Sequence, residues 1–150
     1  MYCGLGFCLR HEIVSWTFQA LAAAILLQTL YFKFTGAPES KFIFATLGIE
    51  PWGRIGTGMA ELIAAGLLLH RRWSAFGGLM ASGLMAGAIF SHLTKLGIEV
   101  QGDGGLLFAL AVTVFGSGLI VGWLRRHQLP IPTWIRDRLG ATLSQPRRSA

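Results

Sequence analysis

A carboxylate stands inside an apolar run. It is Glu61, in the stretch EPWGRIGTGMAELIAAGLLL from Glu50 to Leu69. What it can do depends on what meets it. Beside a cation it is a fixed charge that pairs two helices. Beside water or a ligand head it is a group that exchanges protons. Arg54, Gly58, Glu61 and Ala65 recur at helical spacing, so charge and small residues share one face. An ionisable side chain in hydrocarbon costs several kcal/mol unless it faces other helices or water. Glu61 is therefore expected to point into a bundle, where Gly and Ala let neighbouring helices approach. Lys33, Arg54, His92, Lys95 and Asp103 complete a set of candidate cavity residues. Histidine as a type exchanges protons near neutrality, so His92, with Glu61, suits proton steps. Lys95 or Arg54 suits an anionic partner such as a sulfur oxyanion. Lys33, Arg54, His92 and Lys95 are the expected basic partners of Glu61.

Other chemistries find less support. Gly53, Gly56 and Gly58 have the wrong order for a dinucleotide loop and follow no strand. A single His with no His or Cys at ligand spacing argues against a metal site, and no haem or flavin motif is present. Cys3 and Cys8 match neither a zinc nor a CxxC spacing. They read as a reduced pair without function, with a redox role the minor option.

The elements that must position these residues are membrane spans. The chain has 150 residues, 53% apolar and 13% charged, with mean hydropathy +0.55. A soluble domain carries roughly 25% charged residues. The length suits one domain. The net charge of +6 sits at helix ends and in the tail, so it is no nucleic-acid signal. The expected fold class is all-α: a four-transmembrane-helix bundle with a short C-terminal interfacial helix. The spans are placed at 13–32, 53–69, 73–93 and 103–124, with a basic tail at 125–150. The first is too long for a signal peptide and lacks a cleavage site, so it is read as retained. The connection 34–51 carries Gly36-Ala37-Pro38 as a turn and Phe42, Ile43 and Phe44, so part of it suits the interface. Gly83 with Gly87, Gly77 with Ala81, and Gly118 with Gly122 are candidate close-contact pairs. Asp103 is a candidate N-cap. In the tail, Trp134, Ile135 and Leu139 face away from Arg136 and Arg138, which suits an amphipathic helix on an anionic leaflet; a frayed tail is the rival. Residues 145–150 read as disordered. No internal repeat or long linker is found.

Four spans put both termini and the second connection on one side. That side holds Arg10, Arg71, Arg72, Arg125, Arg126, Arg136, Arg138, Arg147 and Arg148, against Lys33, Lys41, Arg54 and Lys95 on the other. Basic residues stay in the cytoplasm, so both termini are expected there. Trp52 then marks the outer interface, and Trp73 and Trp123 the inner one. All six candidate residues fall in the outward half. Helix ends carry charges in any case, which covers Lys33 and Asp103. It does not cover Glu61, about 12 Å along its helix from Gly53. An outward-facing, water-accessible polar cavity is expected.

The segments FKFTGAPES, LGIEPWGRIGTGMAELIAAGLLL and MAGAIFSHLTKLGIEVQGDGGLLF resemble the DoxX family of small bacterial membrane proteins. The likeness covers about 32–124 and excludes CGLGFC and the basic tail. It implies a four-helix bundle in the bacterial inner membrane. It also implies association with membrane oxidoreductases, thiosulfate:quinone oxidoreductase among them. It supplies no catalytic residue set.

Three functions stay open. One is a subunit or partner of a membrane redox system, with a quinone-like ligand in the bundle and electrons carried by a partner subunit. The second is a non-enzymatic scaffold, in which Glu61 pairs only to specify packing. The third is a small-ligand carrier, which at this size calls for a homo-oligomer.

Overall fold

The computed structural model describes residues 5–129, with side chains from residue 10 onward. Among these the chain is all helical, without strands. Helix α1 is Leu5–Thr35, α2 is Pro38–Thr46, α3 is Trp52–Leu69, α4 is Ser74–Ser91 and α5 is Leu106–Leu124. A π-helical turn, His92–Leu96, continues α4, and a 3-10 turn, Arg126–Gln128, follows α5. Cys3, the Cys8 side chain, the expected tail helix and residues 145–150 lie outside the described residues.

Among the described residues three helical segments are long and apolar enough to cross a membrane: Arg10–Thr35, Ser74–Leu96 and Leu106–Leu124. Helix α3 is not a fourth by that measure, because Arg54 and Glu61 fall within its 18 residues. The first helix begins earlier than expected, at Leu5 rather than Ile13, and α5 begins at Leu106 rather than Asp103. The connection after α1 folds into α2, started by Pro38 in its first turn with Glu39 beside it. Proline suits that position because its missing N–H would have no helical partner there.

Helices α1, α3, α4 and α5 form a ring in that order. Contacts fix each neighbour as antiparallel. Thr29 and Lys33 of α1 reach Glu61 of α3, and Arg125 after α5 reaches Glu12 and Ser15 near the start of α1. The core is built of small residues: Ala22, Ala23, Ala64, Ala65, Ala81 and Ala111, filled by Leu26, Leu68, Met85, Val114 and Val121. Among apolar surroundings helices associate by close packing, which short side chains permit. A Cβ on Gly77 would lie 2.4 Å from the Leu68 backbone nitrogen, and one on Gly118 2.5 Å from the Gly78 carbonyl oxygen. Those glycines are where α3 meets α4 and α4 meets α5. Gly83 and Gly87 are different: a Cβ on either meets nothing within 4 Å. They face away from the bundle, so that expected pair does not mediate contact between these helices.

One end of the ring is tied by Gln128. Its side-chain oxygen accepts from Ser74 Oγ at 3.1 Å and from the Ala75 N–H at 3.2 Å, and its amide donates to the Arg71 carbonyl at 2.8 Å. The Ala75 N–H is one of the orphan donors of a helix start. At the other end a short repeat, overlooked in the sequence, stops two helices. Leu47-Gly48-Ile49-Glu50 and Leu96-Gly97-Ile98-Glu99 are identical tetrapeptides. Gly48 and Gly97 both take positive φ, +76° and +81°. Glycine adopts that conformation without a Cβ penalty.

Candidate functional site

The face of α3 that carries Glu61 is the buried one: Arg54, Gly58, Glu61, Ala64, Ala65 and Leu68 are all covered. Its other face presents Ile55, Met59, Leu62, Ile63 and Leu69 outward. Glu61 is 3% exposed. Lys33 Nζ donates to both of its oxygens, at 2.8 and 2.7 Å. Thr29 Oγ lies 3.2 Å from Glu61 Oε2 and 2.9 Å from the Leu26 carbonyl. A hydroxyl has one hydrogen, so Thr29 serves one acceptor at a time. Of the partners the sequence offered, Glu61 thus takes Lys33.

Arg54 stands one layer away. Its Nε donates to Glu50 Oε1 and Oε2 at 2.8 and 3.1 Å. Its Nη1 donates to the Lys33 carbonyl. That carbonyl belongs to the last turn of α1, where acceptors lack helical partners. Arg54 therefore pins the backbone of the residue whose side chain holds Glu61. It is a positioning residue and does not line the cavity.

The cavity lies against Glu61. Its volume is about 340 Å³, and all five helices and the π turn contribute to its wall. Most of that wall is apolar, including Ile25, Phe32, Phe44, Leu84, Met85 and Leu110. Polar groups enter from two sides. Thr29, Lys33 and Glu61 come from α1 and α3. Ser40 and Glu39 come from α2, His92 from the π turn, and Asp103 from the loop before α5. Lys95 is exposed and does not line the cavity. Of the six candidates, Lys33, Glu61, His92 and Asp103 share one cavity, and Arg54 and Lys95 do not.

His92 is held by the unusual local backbone. The π turn ends with the Gly97 N–H donating to the His92 carbonyl at 2.8 Å. The Gly97 carbonyl in turn lies 2.8 Å from His92 Nδ1. The ring packs edge-on against Phe108 and is 5% exposed. Single π turns inside or after α-helices are frequent at functional sites. Asp103 organises the neighbouring loop. Its Oδ1 accepts from the Val100 and Gly105 N–H groups at 2.8 and 2.9 Å, and its Oδ2 from the Leu107 N–H at 2.9 Å. Gly105, not Asp103, is the residue that borders α5, although Asp103 satisfies a first-turn donor. Desolvation pushes the Asp103 carboxyl up. The Leu107, Val100 and Gly105 donors outweigh it, and its pKa lies below the ordinary 3.8.

Sequence reasoning missed Thr29, Ser40 and Glu50 here. None stands out by type or spacing; each matters only because another helix faces it. It also missed a second buried polar cluster at the far end of α1. Arg125, 4% exposed, donates from Nε to Ser15 Oγ and from Nη2 to Glu12 Oε2, both at 2.9 Å. Gln19 Nε2 donates to the same Ser15 oxygen at 2.7 Å. The charged tripeptide Arg10-His11-Glu12 was the available signal.

Comparison of the chain with protein-family models, with curated proteins and with solved structures finds no match.

Proposed function

We propose that this chain is a four-span, DoxX-like protein of the bacterial inner membrane that binds a lipid-soluble, quinone-like ligand in the Glu61 cavity. The observation that carries the ligand reading is the cavity itself: an apolar chamber of about 340 Å³ with a buried ion pair on its wall. Small-ligand sites are mostly apolar with a few convergent polar groups. Helix α3 serves as the fourth span because its two charges are turned inward and paired while its outward face is apolar. A charge so placed is tolerated within a bilayer. Both termini lie in the cytoplasm, supported by the arginines at Arg10, Arg71, Arg72 and Arg126. The cavity then opens toward the outer face. A redox partner subunit supplies electrons, and Glu61 and His92 are placed for the accompanying protons.

A second reading has its own support. Both Glu61 oxygens are already taken by Lys33, as a purely packing pair requires. One experiment separates the two. The full chain is reconstituted in nanodiscs and titrated with decylubiquinone, following quenching of its tryptophans. The ligand reading expects saturable binding that Leu110→Trp, which fills the cavity, abolishes. Absence of saturable binding to the unmodified chain sinks it and leaves the scaffold reading.

A further inference from the structure

The polar groups around the cavity are not equivalent. At the Lys33–Glu61 pair itself the hydrogen-bonding capacity is committed within the protein, while Gln28 and Glu39 reach the cavity from exposed positions. Glu61 accepts from Lys33 at both oxygens, and Thr29 has a carbonyl and a carboxylate to serve. The opposite side is unfinished. The Gly97 carbonyl can only accept, so the contact from His92 Nδ1 places the proton of the neutral ring on Nδ1. Nε2 then carries a lone pair and no proton. It has no hydrogen-bond partner among the described residues, and His92 lines the cavity. Ser40 lines it too. It is 7% exposed, and its Oγ is buried without a partner among the described residues. Helix α2, which carries Ser40, packs against the π turn that carries His92. Buried polar atoms are nearly always paired, and an unpaired one calls for an explanation.

We propose that these two groups are the recognition pole of the cavity, and that the ligand carries a phenol-type hydroxyl on an apolar body. Its O–H donates to His92 Nε2, and its oxygen accepts from Ser40 Oγ. This rests on the ligand reading above and narrows it, because the quinol state of a carrier meets the requirement and the quinone state lacks the donor. A carbonyl or ether oxygen brings only lone pairs to a nitrogen that already presents one. The apolar wall, including Leu84, Met85 and Leu110, takes the body of the molecule.

The test uses a matched pair: para-octylphenol and its methyl ether, in which a methyl group replaces the hydroxyl hydrogen and so removes the donor. Each is titrated calorimetrically into nanodiscs holding the full chain, with empty nanodiscs as the reference for partition into lipid. The phenol is expected to bind about tenfold tighter than the ether, the factor that one hydrogen bond of ordinary strength supplies. Ser40→Ala removes a hydroxyl that has no protein partner, so the fold should survive. It should weaken the phenol and the ether severalfold alike, because either oxygen can accept from Ser40 Oγ, and leave the phenol preference in place. His92→Phe keeps an aromatic edge against Phe108 and should bring the two probes to equal affinity. Equal binding of phenol and ether to the unmodified chain overturns the proposal while leaving an apolar ligand site in place. A phenol preference that persists in His92→Phe overturns the assignment to His92, and a phenol affinity that Ser40→Ala leaves unchanged overturns the assignment to Ser40. No binding of either probe removes the ligand reading along with it.

Discussion

Two ion pairs, each with one buried member, anchor opposite ends of α1, and they differ in what surrounds them. At one end Lys33 meets Glu61, with side chains 16% and 4% exposed. At the other Arg125 meets Glu12, at 5% and 44%. In the first pair the acid is the buried member, and a cavity lies beside it. In the second the base is buried, and Ser15 and Gln19 fill the space around it. The pocket near that end is lined by His11, Trp123, Leu124, Arg126 and His127, not by Arg125. Burial of charge is common to both, so burial alone does not mark a site. Empty, mostly apolar space next to the charge distinguishes one from the other. The Arg125 cluster reads as a staple between α1 and the end of α5. As placed, it leaves Gln19 Oε1 buried without a partner.

The contrast can be broken by removing one partner at each end. Lys33→Met strands Glu61 in a covered position and should cost the largest amount, about 3–5 kcal/mol, in unfolding by detergent titration. Lys33→Met with Glu61→Met should restore most of that loss, because an ion pair replaced whole by apolar groups is often neutral. A single variant as stable as the parent would mean that Glu61 is not held by Lys33. Arg125→Met should cost less, about 1–3 kcal/mol. Glu12 remains hydrated, and only the buried Ser15 hydroxyl loses a donor. A loss exceeding that of Lys33→Met reverses the comparison.

The small-residue seams sharpen it further. Gly77→Ala places a methyl against the Leu68 backbone and should cost about 1–3 kcal/mol through overpacking. Gly83→Ala meets open space and should be neutral or stabilising by up to about 1 kcal/mol, the propensity difference in a helix interior. Equal effects in the same titration would place the α3–α4 contact elsewhere.

Asp103 gives the smallest effect. Its folded pKa is lowered below 3.8, so the carboxylate stabilises the fold above that value. The contribution is lost as the pH falls through the lower folded pKa. Asp103→Asn should cost about 0.3–1 kcal/mol at neutral pH, typical of a charge near a helix start. The gap from the unmodified chain should close in strong acid. A gap that widens on acidification contradicts the assigned direction.

Periodicity and the cost of burying charge determine much of this protein from the sequence. Arg54, Gly58, Glu61 and Ala65 repeat at helical spacing, and they do form the covered face of α3. Local pattern also marked the break after α1, at Gly36-Ala37-Pro38. The tertiary structure alone decided the contacts. Lys33 rather than Lys95 meets Glu61, because the antiparallel register of α1 and α3 brings together residues 28 apart in the chain. Gly118 is buried at a helix crossing and Gly83 is not, although both belong to the same sequence pattern. Arg125 turned inward because α1 supplies Ser15 and Glu12 at its level. The cavity itself is the space left by five helices and a turn that meet there. Each of these depends on how separate faces are brought together, and no single face carries that information.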